Sequence, residues 1–116
     1  MSFYECVFVM RQDIPAQDVH KVADNFVGLL NNFEGKLLKK EYWGLRSLAH
    51  IIKKNKRGHF IMLGLSATTQ AIKELERNFK INEDVLRYVT LKVDSIKQAP
   101  SYMMSAPADL EPHQSN

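Results

Sequence analysis

The chain has 116 residues and a net charge of +3, and its 45% hydrophobic and 25% charged residues fit one globular domain with a modest core. It has a single cysteine, which excludes an intramolecular disulfide and favours a reducing compartment. No apolar run approaches the roughly 20 residues that span a bilayer, and the N-terminus lacks the basic segment of a signal peptide, so we expect a soluble, cytoplasmic protein without membrane contact.

The first predicted elements are a strand and a helix. Apolar side chains alternate between two faces from Phe3 to Met10, which is typical of a strand. Asp13-Ile14-Pro15 then signals a helix start, because aspartate can cap free backbone N–H groups and proline is tolerated in the first turn. Apolar residues spaced by three and four positions continue to Phe33, and Gly35 is expected to end the helix because glycine adopts positive φ freely.

The remaining predicted elements are a hairpin, a second helix and a last strand. They are a strand over 36–52, a turn over 55–58, a strand over 59–65, a helix capped by Thr68 or Thr69, and a strand over 85–93. With right-handed crossovers, the order β-α-β-β-α-β predicts an α+β, ferredoxin-like fold, in which a four-stranded antiparallel sheet carries two helices on one face. The other face is then open to solvent, RNA or a protein.

The composition changes after residue 97. Pro100, Pro107 and Pro112 occur there among Ser, Gln and Asn residues, a mixture that does not form a packed core. We therefore expect a ferredoxin-like domain over residues 1–97 and a flexible polar tail over residues 98–116.

Positive charge is concentrated between Lys36 and Arg57. This segment holds eight basic residues and one acid, Glu41, so it carries +7 and the rest of the chain carries −4. Such a local field is typical of a polyanion-binding surface, although charged hairpin edges that block strand pairing would also explain it. Trp43 could stack on bases, but large aromatic residues are mostly buried, so we expect it in the core, with Gly44 at a bulge.

Catalysis finds little support in the sequence. The four histidines show no metal-ligand spacing, and the five glycines form no phosphate-binding pattern. Cys6 lies within a strand, where a small buried hydrophobe is expected rather than a nucleophile. We therefore expect no catalytic residue, metal, cofactor or small-molecule substrate.

Four motifs resemble the bacterial small-subunit ribosomal protein six (S-six) family. They are the opening Tyr4-Glu5, the segment WGLRSLAHII from Trp43 to Ile52, the second-helix run over 71–77, and the turn and strand over 82–87. The resemblance covers roughly residues 2–94, in order. His50-Ile51 stands where the family usually has Tyr-Pro, and without that proline the strand can continue unbroken.

The resemblance implies a structural protein of the cytoplasmic ribosome. Such proteins pair with ribosomal protein S-eighteen, and the pair binds the central domain of the small-subunit ribosomal RNA. We expect the long second strand to contact the partner, and basic residues near the hairpin and on the last strand to contact RNA phosphates. The expected partner contacts are Leu48, His50 and Ile52, and the expected RNA contacts are Arg46, Lys53, Lys54, Lys56, Arg57, Arg87 and Lys92. An odd spacing places Arg87 and Lys92 on opposite faces, and Arg87 is the preferred one.

Two other functions stay open on this fold, which hosts many. An acylphosphatase-like hydrolase would need an arginine in a glycine-rich loop after the first strand and an asparagine on the second strand. Arg11 follows the first strand, but its loop has no glycine and the second strand has no asparagine. A small-molecule-sensing dimer module would use the open sheet face, and its self-association would not depend on RNA.

Overall fold

The computed structural model describes residues 1–106, which contain four strands and two α-helices in the predicted order. Their bounds are β1 (Ser2–Arg11), α1 (Ala16–Leu30), β2 (Lys36–Ile52), β3 (Asn55–Ala67), α2 (Thr69–Ile81) and β4 (Val85–Val93), with 3-10 turns at Asn31–Phe33 and Tyr102–Met104. The strands form one sheet in the order β2-β3-β1-β4, and each neighbouring pair is antiparallel. The ferredoxin-like architecture predicted from the sequence is confirmed.

The main core lies between the sheet and the two helices. Along β1, alternate side chains from Tyr4 to Met10 face the helices and are buried. Phe8 is fully buried, and its ring centroid lies 5.4 Å from that of Phe26 on α1 and 5.0 Å from that of Phe79 on α2. Burying each large side chain of this kind stabilises the fold by roughly 1.5–3 kcal/mol. This packing fixes both helices on the same face.

A smaller apolar cluster lies on the opposite, open face of the sheet. Val9, Phe60 and Leu86 are buried there, and Trp43 packs against them half-buried. Trp43 therefore does not lie in the main core, where the sequence suggested it, but over the open face. The bulge predicted at Gly44 is confirmed, because Gly44 has φ +90° and the β2–β3 register shifts between Tyr42 and Gly44.

The ends of α1 differ from their sequence prediction. Pro15 itself is the N-cap residue, without a side-chain cap, and Asp13 instead pairs with Arg11 at 3.5 Å. At the other end Glu34, with φ 61°, takes the left-handed conformation that we expected of Gly35. Gly35 is needed for close approach, because a Cβ there would lie 3.0 Å from Cβ of Leu30.

The start of α2 follows the sequence prediction closely. Of the two candidate threonines, Thr68 is the N-cap residue, and its side-chain oxygen accepts the backbone N–H of Ala71 at 3.1 Å. This hydrogen bond satisfies one of the free donors of the first turn. It fixes the start of α2 directly after the end of β3.

The first part of the expected tail lies against the sheet. Residues 98–106 run beside β2, and the 3-10 turn Tyr102–Met104 contacts this strand. The position of this stretch was not foreseen, because its contacts are largely made by backbone atoms that carry no sequence signal. The rest of the expected flexible tail, residues 107–116, lies outside the described residues.

Candidate nucleic-acid and partner interface

The hairpin between β2 and β3 turns through two lysines. Lys53 and Lys54 have φ values of 47° and 68°, and Ile52 pairs with Asn55 across the turn. Two consecutive residues with positive φ form the tight hairpin connection whose twist matches that of the strands. The turn therefore lies at residues 53–54 and not at 55–58 as predicted, and both lysines are exposed at its tip.

The side chain of Asn55 explains why the turn lies at residues 53–54, before its predicted position. This residue is 2% exposed, and its side-chain amide donates to the carbonyls of Ile52 and Lys53 at 3.3 and 3.0 Å. Its side-chain carbonyl accepts the backbone N–H of Gln12 at 3.0 Å, which ties the hairpin to the end of β1. These hydrogen bonds of the buried Asn55 amide stabilise the turn. Lys53 and Lys54 adopt positive φ there, although lysine, unlike glycine, disfavours this conformation.

The basic residues after the turn are also exposed. Lys56 and Arg57 follow Asn55 on β3, and the backbone N–H of Arg57 donates to the side chain of Gln12 at 3.2 Å. Within residues 1–106, the ion pairs are formed elsewhere on the molecule and do not involve Lys53, Lys54, Lys56 or Arg57. In the part of the chain that the structure describes, four exposed cations without an ion-pair partner therefore lie at or beside the hairpin tip.

The two basic residues of β4 face opposite sides of the sheet, as the odd spacing predicted. Arg87 pairs with Val9 of the open face, and its guanidinium carbon lies 6.0 Å from the centroid of the Phe60 ring. Burial lowers the pKa of Arg87 below its usual value. The guanidinium is still cationic at neutral pH, because the usual pKa of arginine is far above 7. Lys92 pairs with Tyr4, so it lies on the helix side, where it is exposed.

Arg46 differs from the other basic residues because it is only 3% exposed. Its guanidinium donates from Nη2 to the carbonyl of Met103 at 2.6 Å and from Nη1 to the carbonyl of Ala106 at 3.3 Å. In this conformation the tail covers the group that the sequence assigned to RNA. A phosphate reaches Arg46 only after residues 103–106 move away.

The predicted partner contacts lie on the stretch of β2 where regular pairing with β3 is lost. The register shifts between Ser47 and Ile52, so the intervening residues leave the ladder. Leu48 and Ile52 pack against the cluster of Val9, Phe60 and Leu86, while His50 is exposed. The structure thus places Leu48 and Ile52 together on the open face and leaves His50 exposed between them in the sequence.

Residues 96–106, which we name the C-terminal segment, cover the open face at the other end of β2. A Cβ on Gly64 would lie 2.9 Å from Cγ2 of Ile96, so the segment approaches the sheet closely there. Nζ of Lys39 donates to the carbonyls of Lys97 and Ala99, both at 2.7 Å. Sequence reasoning missed this contact.

Glu41 is the centre of this contact. It is 4% exposed, and it accepts the backbone N–H of Ser101 at 2.9 Å, the hydroxyl of Ser101 at 2.6 Å and the indole N–H of Trp43 at 2.8 Å. Burial opposes ionisation, but these hydrogen bonds and the charge of Lys39, at 3.4 Å, lower the pKa of Glu41 below 4.5. The sequence signal for this contact was the position of Glu41 as the single acid between Lys36 and Arg57.

The geometry does not favour the alternative chemistries. Arg11 is paired with Asp13 rather than exposed in a phosphate-binding loop. The thiol of Cys6 is buried, and burial raises its pKa to about 12, which opposes a nucleophilic thiolate. In the described part of the chain, no group of three or more His, Cys, Asp or Glu residues could hold a metal ion.

None of the helices in the described part of the chain is long and apolar enough to cross a membrane.

Comparison with known proteins relates this chain to one family. A family model for ribosomal protein S6 matches residues 3–92. A small ribosomal subunit protein bS6 from Gluconacetobacter diazotrophicus is 50% identical over 109 residues, which cover 94% of this chain and 68% of that protein. A second bS6 protein, from Rickettsia canadensis, is 47% identical over 104 residues, covering 90% of this chain and 86% of that protein.

A solved structure supports the fold independently. The 30S ribosomal protein S6 from Thermotoga maritima superposes with a TM-score of 0.74, covers 79% of this chain and 87% of its own, and shares 22% identity. At this identity the likeness concerns the fold alone. The family model and the two closer relatives, each matched over most of this chain, establish that it belongs to the ribosomal protein S6 family of the small ribosomal subunit.

Proposed function

We propose that this protein acts as a structural component of the small ribosomal subunit in the cytoplasm, where it binds the central domain of the ribosomal RNA together with ribosomal protein S-eighteen. The observation that carries this proposal is the hairpin tip, where Lys53, Lys54, Lys56 and Arg57 are exposed without ion-pair partners among residues 1–106. The role is a binding role, without catalysis.

The basic surface suits contact with phosphates rather than with base edges. Long lysine and arginine side chains on a protruding turn reach an RNA backbone without uncovering the core. Such contacts position a protein on RNA, and the shape of the RNA junction then supplies selectivity. Arg87 extends this surface across the open face, whereas Lys92 lies on the helix side and is the weaker candidate.

The apolar surface beside the hairpin suits a protein partner. Leu48 and Ile52 extend the cluster of the open face towards the edge of β2, and Ile51 beside them is 64% exposed. An exposed apolar patch with a polar rim is typical of a protein–protein interaction site. We propose that S-eighteen contacts this patch through Leu48, His50 and Ile52.

The RNA contact is tested by the salt dependence of binding. A fragment of the central domain is titrated with the protein and S-eighteen at several salt concentrations. The double variant Lys54→Gln/Lys56→Gln should flatten the log–log slope by about two units, at about 0.9 per phosphate contact on a duplex segment. The matched control is Lys73→Gln/Lys80→Gln, which removes two exposed lysines from α2 and should retain the parent slope. An unchanged slope in the hairpin variant would show that the tip faces solvent.

A further inference from the structure

Three charged side chains of β2 form a row along the C-terminal segment. We name this row, formed by Lys39, Glu41 and Arg46, the backbone groove. Lys39 and Arg46 each donate to two backbone carbonyls of the segment, while Glu41 accepts a backbone N–H. Apart from the Ser101 hydroxyl, which also reaches Glu41, these hydrogen bonds involve atoms that every peptide carries.

The charge order of the groove distinguishes a peptide from a nucleic acid. Two donors flank one acceptor, so the groove matches a chain that presents carbonyl, N–H and carbonyl groups in turn. A phosphate backbone offers acceptors without N–H donors, and the carboxylate of Glu41 would repel it. The carboxylate is ionised at neutral pH, because its hydrogen bonds and Lys39 lower the pKa of Glu41 in spite of burial.

We propose that the backbone groove is a peptide-binding site, which residues 96–106 fill within the same chain and which an extended segment of a protein partner fills when they leave. β4 ends at Val93, so a linker of only a few residues tethers the bound segment. A short tether gives an effective concentration in the millimolar range, against which an incoming peptide must compete. This peptide site does not depend on the proposed RNA contacts and is tested separately from them.

The first experiment releases the segment without altering the groove. In the full chain, Ser101→Asp places a second carboxylate against Glu41, whereas Ser105→Asp adds the same charge at a residue whose hydroxyl contacts only Tyr102 among the described residues. Trp43 is the single tryptophan, and its indole N–H donates to Glu41, so its NMR resonance reports on the groove. Ser101→Asp should shift this resonance and speed trypsin cleavage after Lys97, and Ser105→Asp should do neither.

The second experiment refills the groove from solution. A synthetic peptide of residues 94–106 is titrated into the Ser101→Asp protein, and the Trp43 resonance should return to its parent position with a Kd on the order of 1 mM or below. The same peptide carrying Ser101→Asp should bind at least about tenfold more weakly, a difference of about 1.4 kcal/mol.

Three results would overturn the proposal. An unchanged Trp43 resonance and cleavage rate in the Ser101→Asp protein would show that the contact with Glu41 does not hold the segment. A released segment without recovery of the resonance at several millimolar peptide, a concentration that matches the tether, would show that the groove takes no free peptide. Equal recovery with both peptides would show that binding does not use Glu41.

Discussion

The hydroxyl of Tyr42 lies 2.7 Å from Nδ1 of His59 and joins β2 to β3 on the helix side of the sheet. His59 is 5% exposed, and burial lowers its pKa below the usual 6.5 despite opposing contributions from the backbone of Ile14 and Gln12. Burial also raises the pKa of Tyr42, so its hydroxyl stays protonated at neutral pH. Nδ1 of the neutral imidazole and the Tyr42 hydroxyl therefore share one hydrogen bond, whose donor is set by the tautomer of the ring.

The lowered pKa of His59 predicts a pH dependence of stability. Below about pH 6.5 the unfolded chain binds a proton that folded His59 does not, so the free energy of unfolding should fall as the pH drops towards the folded pKa. Above pH 6.5 this contribution is fully present. His59→Gln should remove this part of the dependence in urea titrations between about pH 7.5 and 5.5, and His50→Gln, at an exposed site, should retain it. Parallel curves for parent and His59→Gln would contradict the assignment.

Two glycines should respond to alanine in opposite directions. A Cβ on Gly58 would lie 2.3 Å from Cγ1 of Val9 and 3.1 Å from the carbonyl of Met10, so Gly58→Ala should lower the free energy of unfolding by about 1–3 kcal/mol. Gly28 on α1 has no atom within 4 Å of that position, and Gly28→Ala should raise stability by roughly 0.5–1 kcal/mol. Urea unfolding measures both, and an unchanged or raised stability of Gly58→Ala would show that space at Gly58 is not limiting.

The hairpin turn allows stability to be separated from RNA binding. Lys53→Asn/Lys54→Gly supplies the residue pair that the two positive φ values favour, and stability should increase by about 1 kcal/mol. The same change removes two exposed cations, so affinity for the central-domain RNA should fall and its salt slope should flatten by about two units. A more stable protein that kept its RNA affinity would exclude the tip from the RNA interface.

The apolar patch predicts how a mutation in this chain affects binding of the partner. Leu48→Ala removes a half-buried side chain that packs against the open-face cluster, and binding to S-eighteen should weaken about tenfold. Ile81→Ala is the control, because Ile81 is 62% exposed at the end of α2 and should not affect the complex. Calorimetric titration measures both affinities, with circular dichroism to check the fold. Equal affinities would place the interface elsewhere.

The sequence predicted those features that side-chain patterns encode. Alternation in β1 and the three- and four-residue spacing of the helices follow from burial, so the fold and the opposite faces of Arg87 and Lys92 could be read directly. The turn position depended on the side-chain hydrogen bonds of Asn55, which no local turn rule describes. The covering of Arg46 depended on backbone carbonyls, which are the same in every sequence.

The interruptions of β2 have a consequence for the protein before it joins a ribosome. β2 is a 17-residue strand at the edge of the sheet, and a flat edge of that length would be a template for aggregation. Its pairing with β3 shifts register between Leu37 and Lys39, between Tyr42 and Gly44, and between Ser47 and Ile52. Such irregularities bend a strand locally and make its edge a poorer template for pairing with a second molecule. The irregularities of β2 thus oppose edge-to-edge association of newly made, unassembled copies.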